Sequence, residues 1–187
     1  MADRRNLTKL SKFLTLMLRH QSEAFGLQMD KDGFAEVDAI WARVNERFPG
    51  RFNYKDLLTV IEGDQHGKKR LELRDGRIRA LYGHSTVVPI AYSPIEPPEI
   101  LYHGTTQEAL TAIRRDGLKA MGRQYVHMTP REDMARRVAG RHSRHTVILH
   151  IRAKDASLAG IAFFNPEQDN FLAKAVPAQF IDFDSED

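Results

Sequence analysis

The stretch KRLELRDGRIRAL, from Lys69 to Leu81, constrains the fold more than any other segment. Apolar and charged residues alternate on either side of Asp75-Gly76, a dipeptide that tolerates positive φ and so suits a two-residue hairpin turn. The patterning before it is helical. Leu7, Leu10, Phe13, Leu14, Met17 and Leu18 recur at helical spacing, with Asn6 or Thr8 as candidate N-cap. A second apolar set, Val37, Ile40, Trp41 and Val44, follows a Lys31-Asp32-Gly33 turn, and a third helix is predicted over Tyr54 to Ile61. Helices followed by a two-stranded wing predict a winged-helix lobe.

After the wing the chain changes character. Of its eight prolines, Pro89, Pro94, Pro97 and Pro98 fall between Val87 and Pro98, which disfavours regular structure. The expected layout is therefore a lobe over 1–86, a linker over 87–98 and a second lobe over 99–187. The second lobe holds strand candidates at Ile100 to Tyr102, Tyr125 to Met128, Thr146 to Ile151, Ile161 to Phe164 and Phe171 to Val176. Helices are predicted over Gln107 to Asp116 and Arg131 to Ala139, giving an α+β class, and the acidic tail from Asp182 to Asp187 is expected to fray.

Composition narrows the chemistry. At 187 residues the chain has room for one large domain or two small lobes. Without cysteine it has no disulfide, thiol nucleophile or thiolate metal site, and the cytoplasm is the default location. No apolar run approaches the ~20 residues of a membrane span. The eight histidines form no H-E-x-x-H or other ligand motif, so no metal is expected. The Walker, G-x-G-x-x-G and G-x-S-x-G patterns are absent too. A net charge of +3 permits a polyanionic partner without demanding one.

Several residues have an ordinary reading beside a functional one. Arg19-His20 closes the first predicted helix, where basic residues complement the dipole. Lys69 and Arg70 belong to a basic triplet that suits a solvated surface or a nucleic-acid backbone. Arg123 opens the second strand predicted for the C-terminal lobe. Gly83-His84-Ser85 and His103-Gly104-Thr105 are small, flexible triplets, common as turns, whose backbone N–H groups could also approach a phosphate or an amide. His127, inside Tyr125-Val126-His127-Met128, suits a half-buried core position.

Taken in order, LSKFLTLMLRH, DKDGF, KKRLEL, IRALYGHS, LYHGT and GLKAMGRQYVHMT closely resemble the RNA 2′-phosphotransferase family, of the NAD-dependent tRNA 2′-phosphotransferase type, across about residues 10 to 145. The resemblance implies an N-terminal winged-helix RNA-binding lobe and a C-terminal NAD-binding lobe related to ADP-ribosyltransferases. It implies a catalytic Arg-His-Arg-Arg set at the cleft, falling here on Arg19, His20, Arg70 and Arg123, with Lys69 and Arg70 on the RNA. His84, Ser85, His103, Gly104, Thr105, His127 and Thr129 would bind NAD, which is consumed as co-substrate. The partner would be RNA bearing a 2′-phosphate, and a monomer is the default.

The resemblance weakens at one segment. Where the family tends to read N-G-V-W-L-T, this chain has Gln168-Asp169-Asn170-Phe171-Leu172-Ala173, so Asn170 stands for valine and Phe171 for tryptophan. Ser143 likewise replaces a usual glycine. Glu167 is out of register with the glutamate that completes the pattern in protein-modifying transferases, and it receives no catalytic role. The implied reaction passes through RNA-2′-phospho-ADP-ribose and releases nicotinamide, 2′-OH RNA and ADP-ribose 1″,2″-cyclic phosphate. Two alternatives are an ADP-ribosyltransferase acting on phosphorylated nucleic-acid ends or another acceptor, and a winged-helix binding protein with an inactive second lobe.

Overall fold

A computed structural model describes residues 3–63, 69–85, 90–141 and 145–183. The chain is α+β and divides into two compact units, Met1–Ala91 and Tyr92–Asp187. The first unit runs α1 (Arg4–Arg19), β1 (Ala35–Glu36), α2 (Val37–Arg47), α3 (Tyr54–Glu62), β2 (Leu71–Arg74) and β3 (Arg77–Ala80).

Helix α1 begins earlier than the apolar spacing indicates. Its N-cap is Asp3, whose carboxylate accepts from the Asn6 N–H at 2.9 Å, and neither Asn6 nor Thr8 serves. An acid there also meets the positive end of the helix dipole. Thr8 instead turns its hydroxyl back to the Arg4 carbonyl inside the helix. Leu10, Phe13, Leu14, Met17 and Leu18 form the buried face and pack in one core with Ile40, Val44, Leu57, Leu71 and Ile78.

The hairpin forms with Asp75 at φ 50° and Gly76 at φ 73°, the left-handed pair of the turn that matches strand twist. Its rungs run from Arg74↔Arg77 to Leu71↔Ala80. A third strand, β1, adds to β3, and at two residues it is too short to show alternation in the sequence. The turn before it is built on Asp30, which accepts from the Asp32 and Phe34 N–H groups and pairs with Arg77 at 2.9 Å.

The second unit runs β4 (Ile100–Thr106), α4 (Leu110–Asp116), β5 (Leu118–Lys119), β6 (Val126–Met128), α5 (Glu132–Ala139), β7 (Thr146–Arg152), α6 (Ala153–Leu158), β8 (Phe163–Glu167), β9 (Asn170–Ala173), β10 (Ala175–Val176) and β11 (Ile181–Asp182). Its strands form sheets ordered β11-β7-β4 and β6-β9-β8 and a β10-β5 pair. The predicted strand over Phe171 to Val176 is therefore two strands, which pair with different partners. The turn from Gln107 to Ala109 is 3₁₀, and α4 follows it. Asp182 does not fray: it pairs with His150 across β11 and β7, and its carboxylate takes Arg152. The end of the tail, 184–187, lies outside the described residues, as do Val87 to Pro89 of the expected linker.

The rest of that proline-bearing segment is engaged. Ile90 is buried in the first unit, where a Cβ added to Gly33 would come within 2.8 Å of it. Tyr92 packs edge-on against Tyr125 in the second unit, and the Ile95 N–H donates to the Phe163 carbonyl. Among the described residues, no helix is long and apolar enough to cross a membrane.

Gly104 shows how tightly the second unit is assembled. Helix α5 lies across β4, and a Cβ at Gly104 would fall 2.6 Å from both the Ala135 carbonyl oxygen and the Ala139 Cβ. Both neighbours belong to the helix, so neither can rotate away. Gly104→Val should destabilise the protein by about 1–3 kcal/mol or more through overpacking. Gly122→Ala, with nothing within 4 Å of an added Cβ, should be near neutral. Denaturant melts of the two variants beside wild type check this; equal midpoints would refute the packing account.

Candidate functional sites in the two units

In the first unit, the end of α1 is clasped by the residues that follow β3. The Ser85 N–H donates to the Arg19 carbonyl at 2.9 Å, supplying a partner at the helix end. Ser85 Oγ lies 2.8 Å from His20 Nδ1. Between them the chain turns at Gly83, φ 84°, and the Arg19 guanidinium carbon sits 4.7 Å from the Tyr82 ring centroid. A Cβ on Gly83 would touch Arg19 at 3.5 Å, so the left-handed glycine folds residues 82–85 around that arginine. His84 is buried within this turn.

Arg70 joins through the hairpin. Its carbonyl accepts from the Leu81 N–H at 3.0 Å, one rung beyond Leu71↔Ala80. The open end of the hairpin thus carries Arg70 on one strand and the Tyr82–Ser85 clasp on the other, with Lys69 exposed beside it. The clasp holds Arg19 and His20, and Arg70 is joined to it through its backbone carbonyl. His84 and Ser85, grouped above with the NAD contacts, lie in this unit beside Arg19 and His20. Spacing could not show that Ser85 hydrogen-bonds His20.

The second unit gathers the remaining residues where two sheets meet and part. Tyr102 of β4 and Thr129 exchange backbone hydrogen bonds of 2.7 and 3.0 Å, a single bridge between the β4 and β6 edges. One residue along, His103 Nδ1 lies 2.8 Å from the His127 carbonyl oxygen. A carbonyl only accepts, so Nδ1 carries the proton and the neutral ring has its lone pair on Nε2. His103 is partly buried and closely surrounded by protein atoms. Burial lowers its pKa below the usual 6.5, against the opposing pull of the His127 carbonyl. His103 is thus a neutral, oriented group at neutral pH.

His127 lies on β6 opposite Leu172 of β9, and its Nδ1 is 3.2 Å from Asn170 Oδ1. Alternation puts Asn170, Leu172 and His127 on one face, while Phe171, opposite Met128, turns to the other and packs against the core. The two departures from the family pattern are thereby separated, since only Asn170 shares a face with His127. Asp169, at the tip of the β8–β9 hairpin, sits 3.7 Å from Arg131. Thr129 is buried, and its hydroxyl accepts from the Arg131 N–H at 3.3 Å, tying down the approach to α5. Thr105 remains in register opposite Val147.

Arg123 does not open a strand. Strand β6 begins at Val126, and Arg123 is exposed in the bend before it, because Gly122 interrupts strand pairing. Among the described residues, no three histidine or acidic side chains are grouped to hold a metal ion.

The first unit thus holds Arg19 and His20 in a clasp at a helix end, and the second holds His103 on the His127 carbonyl with His127 beside Asn170. Residues 5–175 match the family described as RNA 2′-phosphotransferase, Tpt1 / KptA family, and the chain belongs to it. Similar curated relatives carry the name "Probable RNA 2′-phosphotransferase". One, from Pseudomonas aeruginosa (strain UCBPP-PA14), is 43% identical over 182 residues, covering 96% of this chain and 98% of the relative. Another, from Lacticaseibacillus paracasei, is 38% identical, covering 97% and 95%. A third, from Acetivibrio thermocellus, is 35% identical, covering 95% and 97%.

The lowered pKa of His103 fixes the sign of a pH effect. Between the folded value and 6.5, the unfolded chain binds a proton that the folded chain excludes. This contribution to stability is therefore intact above about 6.5 and is lost as pH falls through the folded value. Wild type should lose more stability than His103→Gln between about pH 7.5 and about pH 5.5, measured by urea unfolding without added nucleotide. Parallel losses in the two proteins would refute it.

Proposed function

We propose that this chain removes an internal 2′-phosphate from RNA by transferring it to NAD, as an NAD-dependent RNA 2′-phosphotransferase. The observation that carries the reading is the clasped helix end, where Tyr82 lies against Arg19, Ser85 bonds His20 and the neighbouring Leu81 bonds the Arg70 carbonyl, in a chain whose family transfers that phosphate. Gathering cations without a ligand costs self-repulsion, and a phosphate dianion offsets it. An RNA partner gains support from a groove of about 950 Å³ in the same unit, where Lys9, Lys12, Arg47 and Arg51 rim Phe13 and Phe48. The layout of helices and a hairpin supports a winged-helix reading of this unit. The paired sheets with His103 and His127 support an ADP-ribosyltransferase-like reading of the other.

The donor residues fit a nucleotide that carries a nicotinamide. That ring is cationic in NAD, and a neutral His103 does not repel it. His103, Gly104, Thr105 and His127 would hold this substrate, although Gly104 is already required for packing α5 and Thr129 for holding the approach to that helix.

In the first step a 2′-phosphate oxygen bonds to the ribose carbon that carries nicotinamide, and the carbon–nitrogen bond breaks with its electron pair leaving on nicotinamide. A dianion needs no general base, so orientation and charge placement dominate. In the second step the adjacent ribose hydroxyl bonds to phosphorus and loses its proton. The bond from phosphorus to the RNA 2′-oxygen breaks, and that oxygen takes up a proton. Arg19 and Arg70 grip phosphate oxygens as charge builds, through forks that lysine cannot reproduce, and the family resemblance alone assigns Arg123 to the same task. His20 supplies the proton to the departing RNA oxygen, and Ser85, bonded to its Nδ1, orients it.

Incubation with NAD and a short RNA bearing one internal 2′-phosphate, following RNA and nicotinamide together, tests the assignment. Wild type should yield 2′-OH RNA, nicotinamide and the cyclic phosphate. Wild type stalling at RNA-2′-phospho-ADP-ribose would favour the ADP-ribosyltransferase alternative, and absence of nicotinamide release would exclude both.

His20→Ala should slow the second step by roughly a hundredfold or more, so that the ADP-ribosylated intermediate accumulates. Ser85→Ala should shift the same step in the same direction, by a smaller factor. Arg70→Lys and Arg123→Lys should each lower turnover by about a hundredfold. Near-wild-type turnover in either lysine variant would remove that arginine from the site.

A further inference from the structure

Asn170 is the residue at which this chain leaves the family pattern and also faces His127. Its Oδ1 is 3.2 Å from His127 Nδ1, while its Nδ2 is buried with no hydrogen-bond partner. The hairpin around it is fixed, since Asn165 Nδ2 donates to both the Glu167 carbonyl at 2.8 Å and the Asn170 carbonyl at 3.2 Å. A buried amide that uses its oxygen and wastes its NH2 is costly where an apolar side chain would pack without penalty. Valine, the family's usual residue there, carries no such cost.

We propose that Asn170 reads the nucleotide donor directly. Its carbonyl is held by the His127 Nδ1–H, and its NH2 group donates to an oxygen acceptor on the nicotinamide side of NAD, either the carboxamide carbonyl or a ribose hydroxyl. The inference rests on the donor reading given under Proposed function and adds a specificity-determining residue to it. The same hydrogen bond fixes the His127 tautomer, so one side chain sets the ring and contacts the ligand. Phe171 takes no part, being turned to the core on the opposite face.

Two measurements on the full chain test this. Nitrogen-15 NMR of the ligand-free protein should show His127 in its Nδ1–H form in wild type and in Asn170→Asp, which keeps the acceptor, but a tautomer mixture in Asn170→Val. Calorimetric titration with NAD should show about tenfold weaker binding in Asn170→Val, which lacks the NH2 group and adds no charge. The ligand-free melting temperature of Asn170→Val should be unchanged or higher, because the unpaired donor is gone.

Titrations with nicotinamide alone and with ADP-ribose separate the two acceptors: a loss confined to nicotinamide assigns the carboxamide, and one confined to ADP-ribose assigns a ribose hydroxyl. An Nε2–H tautomer in wild type would overturn the inference, because the amide would then donate to His127. Equal NAD affinity in wild type and Asn170→Val would overturn it alone, leaving the donor reading intact. A wild type that does not bind NAD would overturn the donor reading and this inference together.

Discussion

The second unit depends on one reciprocal pair of backbone hydrogen bonds. Tyr102 and Thr129 exchange N–H and carbonyl groups, and this single bridge joins the edge strands of two three-stranded sheets. Because the ladder does not continue, β4 and β6 are free to diverge beyond the bridge. His103 is one residue from the bridge and His127 two. The hydrogen bond from the His103 ring to the His127 carbonyl then substitutes for the missing rung. A structural constraint, ending a sheet without leaving a carbonyl unpaired, is met by the ring proposed here to face the donor.

The first unit solves a comparable problem at a helix end. The last carbonyls of α1 need partners, and the chain after β3 supplies one through the Ser85 N–H. That bond places Ser85 Oγ against His20 and stacks Tyr82 on Arg19. A stacked guanidinium keeps its N–H edge oriented, and a histidine held at Nδ1 presents Nε2 in a defined direction. Arg19 remains a basic residue in the last turn of α1, where it complements the dipole, and the clasp adds fixed partners for it and for His20.

Much of this was legible in the sequence because its signals were local. The Asp75-Gly76 turn and the apolar stripe of α1 each act over a few residues, and the structure follows them closely. What escaped depends on distant partners. Strand β1 exists only because β3 is beside it, and two residues cannot show periodicity. The division of 171–176 between two sheets reflects pairing with β6 and β5, which lie far apart in the chain. Asp3 caps α1 a full turn ahead of the first apolar residue, outside the reach of the apolar spacing. The pairing of Ser85 with His20 spans 65 positions, and only tertiary structure reveals it.

The two units also differ in electrostatic character, and the proposed chemistry explains why. Around the α1 end the arginines are permanent cations, suited to a phosphate whose negative charge grows as phosphorus is attacked, and His20 beside them can exchange a proton. Around the sheet junction the His103 ring is kept neutral by burial, and in the proposed reaction a positively charged nicotinamide would enter there, with positive charge developing on the ribose as it left. A cation there would oppose both binding and bond cleavage. Asn170 fits the same rule: an amide brings a hydrogen-bond donor without net charge, so replacing an apolar residue by asparagine can add recognition without altering that electrostatic balance.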